Sequence, residues 1–393
     1  MSVKRLGVCS MSENKLYYDF NAIYEAGRKE NCRNLMICGG KGNGKTFGAL
    51  RKGLKIYLGL ENPAEKGRVI RYARRLKETV RRNVLINLFK PHYKWIEQVT
   101  DGKYNTVRMN GTRFYLAFVN EDNKLIRRDP NECCICNALS TWETDCGPDE
   151  GEAGIIIFDE AISREHELRN EFDSLMRYHN NCTRNRMDYY APLVLIGNTV
   201  TRDCTIFENF GVDLWKIDDA QKGHIQYVKN RKGEVNCIFE WCGTAGIQEK
   251  SRAYYERFEN EKTKMITDGV FSLGEYKTMS EYHAGMDTQP VCTVLFIHPH
   301  FKLVLRFMQH RSTGDVFAYI NNPTNAPENA DLIVNPNART CNGNMRNYFD
   351  CAAADLFRRL YQTDNVLYDC PATGEKYRSF AMQCIGLSTC IPD

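Results

Sequence analysis

Residues 39–46 read Gly-Gly-Lys-Gly-Asn-Gly-Lys-Thr, which fits the phosphate-loop pattern G-x-x-x-x-G-K-[ST]. The apolar run 35–38 comes directly before this loop, and a helix-like stretch, 47–58, follows it. A strand, a Gly-rich turn and a helix in this order direct backbone N–H groups and the positive end of a helix dipole at one point. The segment therefore predicts a site for a nucleoside triphosphate, with a Gly-rich turn that binds no ligand as the alternative.

The residues of this loop have distinct expected roles. We expect Lys45 to reach the β- and γ-phosphates and the hydroxyl of Thr46 to hold Mg²⁺. Three glycines allow the positive φ angles and the close approach that a Cβ atom would block: Gly39, Gly42 and Gly44. The other loop residues are also expected to line the nucleotide: Gly40, Lys41 and Asn43.

A second motif consists of an apolar run that ends in two carboxylates. Residues 155–158 read Ile-Ile-Ile-Phe, and Asp159 and Glu160 follow. A buried strand here would bring Asp159 to the carboxyl edge of a sheet, where ligands bind in open α/β proteins. We expect Asp159 to hold Mg²⁺ and Glu160 to activate the attacking water as general base. Such strand ends are common alone, but after a phosphate loop this one indicates a nucleoside-triphosphate hydrolase.

The tripeptide Arg184-Asn185-Arg186 precedes another apolar strand, which ends at Asn198. In oligomeric ATPases an arginine of one subunit can enter the neighbouring site and stabilise transition-state charge. Arg184 or Arg186 is placed for that role, although the tripeptide alone favours a solvated basic turn. Asn198 would hydrogen-bond the water or the γ-phosphate, with a simple turn residue as the alternative.

Basic residues are also concentrated between positions 68 and 82: Arg68, Arg71, Arg74, Arg75, Lys77, Arg81 and Arg82. Some of them would share one face of a helix and form a stripe for a polyanion: Arg71, Arg75 and Arg82. Because Arg74 and Arg75 follow an apolar run near the expected nucleotide edge, contact with phosphate is a second role. A solvated face is an equal alternative.

The composition is that of an ordinary globular protein, with 393 residues, 42% of them apolar and 26% charged. No apolar run approaches a membrane span, and residues 1–10 do not resemble a signal peptide. The 17 cysteines are scattered, which predicts reduced thiols in a cytoplasm. One C-x-x-C spacing at 133–136 lacks a second pair, so thiols are expected there instead of a zinc site.

The net charge of +4 is unevenly distributed along the chain. Residues 1–130 carry +15, residues 131–286 carry −10, and residues 287–393 carry −1. A basic N-terminal part suits a nucleotide or a nucleic acid, with charges that only solvate helices as the alternative.

Apolar periodicity predicts a mostly parallel α/β sheet with helices on both faces, followed by a small α+β unit. Strands are expected at 34–38, 68–72, 112–118, 154–158, 192–197, 225–228, 235–241, 292–298, 302–308 and 316–321. Helices are expected at 45–58, 76–89, 164–178, 252–264 and 345–361, and an inserted hairpin at 106–120. Residues 244–286 are polar and predict a helical linker. This linker would connect an ATPase domain, 1–243, to a C-terminal domain, 287–393.

Together these motifs resemble those of the DNA-packaging ATPase of small phi-twenty-nine-like podoviruses. The resemblance rests on five elements in one order: the loop 39–46, Arg74-Arg75, Trp142 before the 155–160 motif, Thr-Arg-Asn-Arg at 183–186 and Ile-Gly-Asn-Thr at 196–199. It is clear over residues 30–200 and weaker beyond them.

The resemblance implies a P-loop NTPase of the additional-strand, conserved-Glu type that uses ATP and Mg²⁺. It implies that Arg184 is the finger acting in trans, with Arg186 as the second choice, and that Asn198 senses the γ-phosphate. It also implies a ring, with five subunits expected, at the portal of an empty capsid in the host cytoplasm. Such a ring translocates double-stranded DNA and is not part of the mature virion.

In this family the C-terminal domain resembles a ribonuclease-H-like nuclease that has lost its activity. Strand 302–308 has no acidic residue, and the carboxylates at 315, 331, 350 and 355 form no motif, so we expect no nuclease activity. Docking on the portal, on structural RNA or on DNA is the expected role. The alternatives for the whole chain are another P-loop motor, such as a helicase or a nuclease-bearing terminase, and a nucleotide-gated scaffold.

Overall fold

A computed structural model describes residues 18–145, 152–163, 168, 170–183, 188–217, 219–243, 276–279, 287–323, 327 and 329–391. The chain divides into two compact units, residues 1–272 and 273–393. The expected linker, 244–286, lies almost wholly outside the described residues, so its boundaries and its helix remain predictions.

The first unit is built on one large, mostly parallel sheet. Its strands are β1 Asn34–Gly39, β2 Val69–Arg74, β3 Thr106–Asn110, β4 Arg113–Val119, β5 Leu125–Arg128, β6 Cys134–Ala138, β7 Ala153–Asp159, β8 Leu193–Asn198, β9 Ile225–Lys229 and β10 Val235–Trp241. They are arranged in the order β3-β4-β6-β2-β7-β8-β1-β10-β9, and β5 pairs with β4. Strands β6, β2, β7, β8, β1 and β10 are parallel, while β3, β4, β5 and β9 pair antiparallel at the edges.

Helices cover both faces of this sheet, as expected. They are α1 Phe20–Lys29, α2 Lys45–Leu58, α3 Arg82–Leu85, α4 Tyr93–Val99, α5 Trp142–Asp145, α6 Glu171–Thr183 and α7 Thr205–Asn209. Strand β1 is buried on both sides: Leu35 and Ile37 pack in one apolar core with α1 and α2, and Met36 and Cys38 in the other with α6 and α7. Burial on both faces explains why the central strands are nearly continuous apolar runs.

The strand order places three functional strand ends side by side. Strand β8 lies between β1 and β7, in register Gly39 with Asn198 and Asp159 with Ile196. Because all three strands are parallel, the phosphate loop, Asn198 and the 159–160 carboxylates meet at one carboxyl edge. This inserted strand is the arrangement of the additional-strand type of P-loop NTPase, which confirms the predicted fold class.

One expected helix is interrupted in the structure. In the stretch 76–89 a 3₁₀ turn, Lys77–Val80, and α3 are separated by Arg81, whose extended φ of −70° and ψ of 155° interrupts a helix. The basic residues 68–82 therefore share no helix face, and Arg71 lies in β2 and is buried. The hairpin predicted over 106–120 is confirmed as β3 and β4.

The described residues of the second unit form a six-stranded sheet and two helices. Its strands are β11 Thr288–Ile297, β12 Lys302–His310, β13 Val316–Asn321, β14 Leu332–Val334, β15 Met345–Arg346 and β16 Val366–Tyr368, in the order β15-β14-β11-β12-β13-β16. Its helices are α8 Ala352–Gln362 and α9 Pro371–Gln383. An antiparallel meander extended by short parallel strands, with two helices, agrees with the expected α+β class of this part of the chain, and the ribonuclease-H-like assignment stays a prediction.

The helix expected at 345–361 is shorter in the structure. Met345 and Arg346 pair with β14, and Phe349 donates its N–H to the Ile385 carbonyl, so α8 begins only at Ala352. Tertiary pairing has overridden the local helix pattern here. Within the described ranges all 15 cysteines are free thiols, and no helix is both long and apolar enough to cross a bilayer.

Candidate active site

The phosphate loop connects β1 to α2 and presents an array of backbone donors. Gly42 and Gly44 have φ angles of 83° and 96°, in the region that favours glycine. Gly39 is needed for space instead, because a Cβ atom there would come within 2.9 Å of the Cys242 Cβ atom. The N–H groups of residues 40–44 donate to no acceptor among the described residues, which suits an anion-binding loop.

Lys45 brings its charge into the centre of this loop although only 4% of it is exposed. Its Nζ donates to the carbonyls of Gly39 and Gly40 at 3.0 and 2.8 Å and to the Asn43 amide oxygen at 3.2 Å. It also donates to Oδ1 of Asn198 at 3.3 Å. Burial lowers the pKa of Lys45, and the four oxygen acceptors around its Nζ offset part of the cost of burying the ammonium group.

Asn198 is thus brought directly to the phosphate loop, as its position at the end of β8 predicted. Arg184 and Arg186 lie outside the described residues, and their role stays a prediction. The described helix before them, α6, ends at Thr183.

Asp159 at the end of β7 is the polar centre of the site. The Thr46 hydroxyl donates to its two carboxylate oxygens at 3.3 and 3.2 Å, and the Glu160 N–H donates to Oδ1 at 3.0 Å. The Tyr72 hydroxyl donates to Oδ2 at 2.6 Å. Burial, reinforced by the Asp159 charge, raises the pKa of Tyr72 well above its ordinary value, so this hydroxyl is protonated and donates.

Glu160 projects from this centre on a strained backbone. Its φ of 61° places a non-glycine residue in the left-handed region, and half of its side chain is exposed. The Arg74 guanidinium lies 3.3 Å from Glu160 Oε1 and 3.8 Å from Asp159 Oδ2, and its Nε donates to the Tyr72 oxygen at 3.0 Å. Burial alone would lower the pKa of Arg74, but Tyr72, Glu160 and Asp159 outweigh it and raise that pKa.

Arg75 was expected to bind nucleotide, but its contacts give it a different role. Its Nε donates to Glu171 at 2.6 Å, and its two terminal nitrogens donate to the Glu160 and Ala161 carbonyls at 3.1 and 2.9 Å. Because Arg75 and Glu171 are both buried, the guanidinium is committed to the protein. Of the arginine pair, the structure directs Arg74 to the site and uses Arg75 as a brace behind it.

Two residues of this network were not predicted from the sequence. Tyr72 follows Arg71 in the buried strand β2 and has the pattern of a core residue, and Glu171 is one of many acidic residues near the start of α6. The alternation of side chains along a strand gives a weak signal for Tyr72, since it puts residues 72 and 74 on one face.

The residues present fit both a nucleoside triphosphate and Mg²⁺. Magnesium is usually held by one or two protein oxygens together with substrate phosphates, and Thr46 and Asp159 supply a hydroxyl and a carboxylate. Within the described parts of the chain no group of three or more His, Cys, Asp or Glu side chains could hold a metal by itself. The site is therefore suited to a metal that arrives with phosphate oxygens. Cys133, Cys134 and Cys136 are buried in or beside β6.

Solved phage packaging proteins have a similar structure. The genome packaging motor assembly of bacteriophage Phi-29 aligns with a TM-score of 0.50 at 16% identity, over 94% of this chain and 99% of that chain. The gp11 DNA packaging motor of Phi-28 aligns with a TM-score of 0.46 at 16% identity, over 93% and 97%. The N-terminal domain of the phi29 DNA packaging ATPase aligns with a TM-score of 0.40 at 19% identity, over 58% and 96%.

No family model matches the sequence, and no curated protein matches it. At such low identity a structural likeness establishes the fold alone. The alignment with the Phi-29 assembly covers nearly the whole of both chains, so it includes both units. The resemblance predicted from the motifs is confirmed at this level: the chain has the fold of the phage DNA-packaging ATPases.

Proposed function

We propose that this chain is an ATP-hydrolysing motor subunit that translocates double-stranded viral DNA into a preformed capsid. The observation that carries the proposal is the convergence of Lys45, Thr46, Asp159 and Glu160 at one sheet edge. The likeness of the whole chain to the Phi-29 packaging motor subunit supports the choice of this motor over other P-loop proteins.

Each residue at this edge has a separate role in the transfer of the γ-phosphoryl group to water. The backbone donors of the loop and Lys45 orient the phosphates and offset their charge, and Asn198 contacts the γ-phosphate. Glu160 accepts the proton of the attacking water, while Arg74 holds the Glu160 carboxylate in place. Thr46 and Asp159 would hold Mg²⁺, which would neutralise phosphate charge when bound.

Steady-state ATP hydrolysis by Glu160→Gln tests this assignment. The amide keeps the shape of the side chain but cannot take a proton, so kcat should fall about 10²–10⁴-fold while nucleotide affinity changes little. Glu132→Gln is the matched control, because Glu132 also pairs with an arginine, Arg113, at 2.7 Å. Wild-type turnover in Glu160→Gln would refute the role of Glu160 as general base.

The polyanion that this motor moves is double-stranded DNA in our proposal. The excess of 15 positive charges in residues 1–130 supports contacts with phosphates. Affinity for DNA should then fall steeply with salt and depend little on sequence. Strand separation without a capsid would favour a helicase, and DNA cleavage with Mg²⁺ or Mn²⁺ would favour a nuclease-bearing terminase.

We further propose a homo-oligomeric ring, a pentamer, in which Arg184 enters the neighbouring site and Arg186 is the second choice. Both residues follow α6 directly in the sequence and belong to the first unit, which supports the proposal. Mixing Arg184→Ala subunits with Glu160→Gln subunits tests it, because a site that two subunits share regains activity at some mixed interfaces. If mixtures show only the sum of the separate activities, both elements belong to one subunit.

We also propose where the motor acts and what its C-terminal domain binds. The chain acts in the host cytoplasm at the portal of the procapsid, with the predicted C-terminal domain, 287–393, docking on portal, DNA or structural RNA. We expect this unit to have no nuclease activity, and incubating it with DNA and Mn²⁺ tests that expectation. A nucleotide-gated scaffold, in contrast, would bind ATP without turnover in the presence of DNA and portal.

A further inference from the structure

Tyr72 connects the two carboxylates of the candidate site. It lies on β2, it is fully buried, and its hydroxyl donates to Asp159 Oδ2 at 2.6 Å. The Tyr72 hydroxyl oxygen in turn accepts from Arg74 Nε at 3.0 Å, and the Arg74 guanidinium reaches Glu160 at 3.3 Å. A continuous chain of polar contacts therefore runs from Asp159 through Tyr72 and Arg74 to Glu160.

The geometry of this chain makes Tyr72 a rigid donor. Its strand pairs directly with β7, and Tyr72 lies in register with Ile157, two residues before Asp159. A tyrosine hydroxyl has one proton, and here that proton is committed to a carboxylate in a short, charge-assisted hydrogen bond. The ring is packed in the core, so neither partner can move without breaking the bond.

Asp159 has little else to fix the direction of its Oδ2 atom. Arg74 is 3.8 Å from that oxygen, and the Thr46 hydroxyl, at 3.2 Å, is itself an expected Mg²⁺ ligand. The Tyr72 hydroxyl holds Oδ2 while the Glu160 N–H holds Oδ1 at 3.0 Å, so the two hydrogen bonds together fix how the carboxylate plane is turned beside Thr46. Partners of this kind, one bond behind a metal-binding side chain, typically change metal affinity or activity about 10–100-fold when removed.

We propose that Tyr72 is a positioning residue that orients the Asp159 carboxylate for Mg²⁺ and, through Arg74, links it to Glu160. This inference rests on the proposed ATP hydrolysis at the same site. Its loss should appear as a higher Mg²⁺ requirement, with nucleotide binding in the absence of metal left intact.

Equilibrium binding of a fluorescent ATP analogue, titrated with Mg²⁺, tests this proposal in Tyr72→Phe. The half-saturating Mg²⁺ concentration should rise about tenfold or more, whereas affinity measured in EDTA should stay within about twofold of wild type. ATP turnover at low Mg²⁺ should fall and should recover partly at high Mg²⁺. Tyr178→Phe is the matched control, since Tyr178 is also fully buried and donates to Asn137 at 2.9 Å.

An unchanged Mg²⁺ requirement in a folded Tyr72→Phe protein overturns the proposal, as does an equal rise in Tyr178→Phe. Thermal unfolding reports whether each variant is folded. If Tyr72→Phe does not fold, Tyr72→Leu replaces it and should show the same rise, because an apolar side chain cannot replace the 2.6 Å hydrogen bond. Absence of ATP turnover in wild type would refute the proposed function. The binding titration would still test whether Tyr72 affects the Mg²⁺ requirement, because it does not depend on turnover.

Discussion

At Glu160 a strained backbone and the chemistry of the site meet in one residue. Its φ of 61° costs a non-glycine residue about 1–2 kcal/mol relative to an ordinary conformation. Asp159 Oδ1 accepts the Glu160 N–H, and Arg75 donates to the Glu160 carbonyl, so the surrounding fold holds this conformation on both sides. Strain at such a position is typical of a functional site.

Glycine should relieve this strain, and alanine should not. We expect Glu160→Gly to be more stable than Glu160→Ala by about 1 kcal/mol, because both lack the carboxylate and only glycine tolerates the left-handed backbone. Urea unfolding of the two variants measures the difference. Equal stability of the two variants would show that the backbone at Glu160 is not strained in solution.

His92 is a buried titratable group beside the helix that follows the phosphate loop. Its ring stacks on Phe47 with centroids 4.4 Å apart, and its Nδ1 accepts from Arg51 Nε at 3.0 Å. Burial, together with the Arg51 charge, lowers the pKa of His92 from 6.5 to about 3. The folded protein therefore keeps this histidine neutral at pH values where an unfolded chain protonates it.

This difference makes stability depend on pH in a defined direction. Between pH 6.5 and about 3, His92 binds a proton in the unfolded state but not in the folded state. Lowering the pH through this range therefore favours the unfolded state, so the contribution of His92 to the free energy of unfolding is highest above pH 6.5 and falls as the pH decreases. The loss approaches about 1.4 kcal/mol for each pH unit. Urea unfolding of wild type and His92→Gln from pH 7 to 5 should show a shallower dependence in the variant, and parallel curves would contradict this assignment.

At the scale of elements, Arg75 ties the end of β2 to α6 and to the backbone after β7. It donates to Glu171 in the first turn of α6 and to the carbonyls of Glu160 and Ala161. Helix α6 ends at Thr183, immediately before the segment that contains Arg184 and Arg186. The brace therefore joins the Glu160 backbone to the helix that leads to the proposed finger.

Removing one partner of the buried Arg75–Glu171 pair should strongly destabilise the first unit. Arg75→Leu leaves the Glu171 carboxylate buried without its cation, and we expect a loss of about 3–5 kcal/mol of unfolding free energy. The double variant Arg75→Leu/Glu171→Leu should recover much of that loss, because no uncompensated charge remains. A double variant no more stable than Arg75→Leu would mean that the pair does not behave as a buried ion pair.

The elements that sequence predicts best are those whose signal is local. The apolar runs of β1, β7 and β8 and the glycines of the loop are readable because burial on both faces and positive φ restrict residue type directly. The helix predicted over 76–89 is wrong because the buried residues there, Val80, Leu85 and Phe89, are determined by tertiary packing and follow no helical repeat. Tyr72 and Arg75 could not be assigned for the same reason: their partners, Asp159 and Glu171, are about 90 residues away in sequence.

The first unit of the molecule contains both the candidate nucleotide site and the strongly basic N-terminal part. Neither feature requires DNA by itself, because a basic surface can solvate a protein and a phosphate loop can serve many reactions. The likeness to the Phi-29 packaging motor over nearly the whole chain establishes the fold, and movement of DNA belongs to the proposed function. A direct test must therefore couple hydrolysis to DNA movement.

The most direct measurement is the amount of double-stranded DNA that becomes nuclease-resistant when procapsids carrying their portal are mixed with this protein and ATP. Wild type should protect DNA in proportion to the ATP hydrolysed, and Glu160→Gln should protect none although it binds nucleotide. The Glu132→Gln control should behave as wild type. Sustained ATP hydrolysis without any protected DNA, or protection of DNA by Glu160→Gln, would contradict the account.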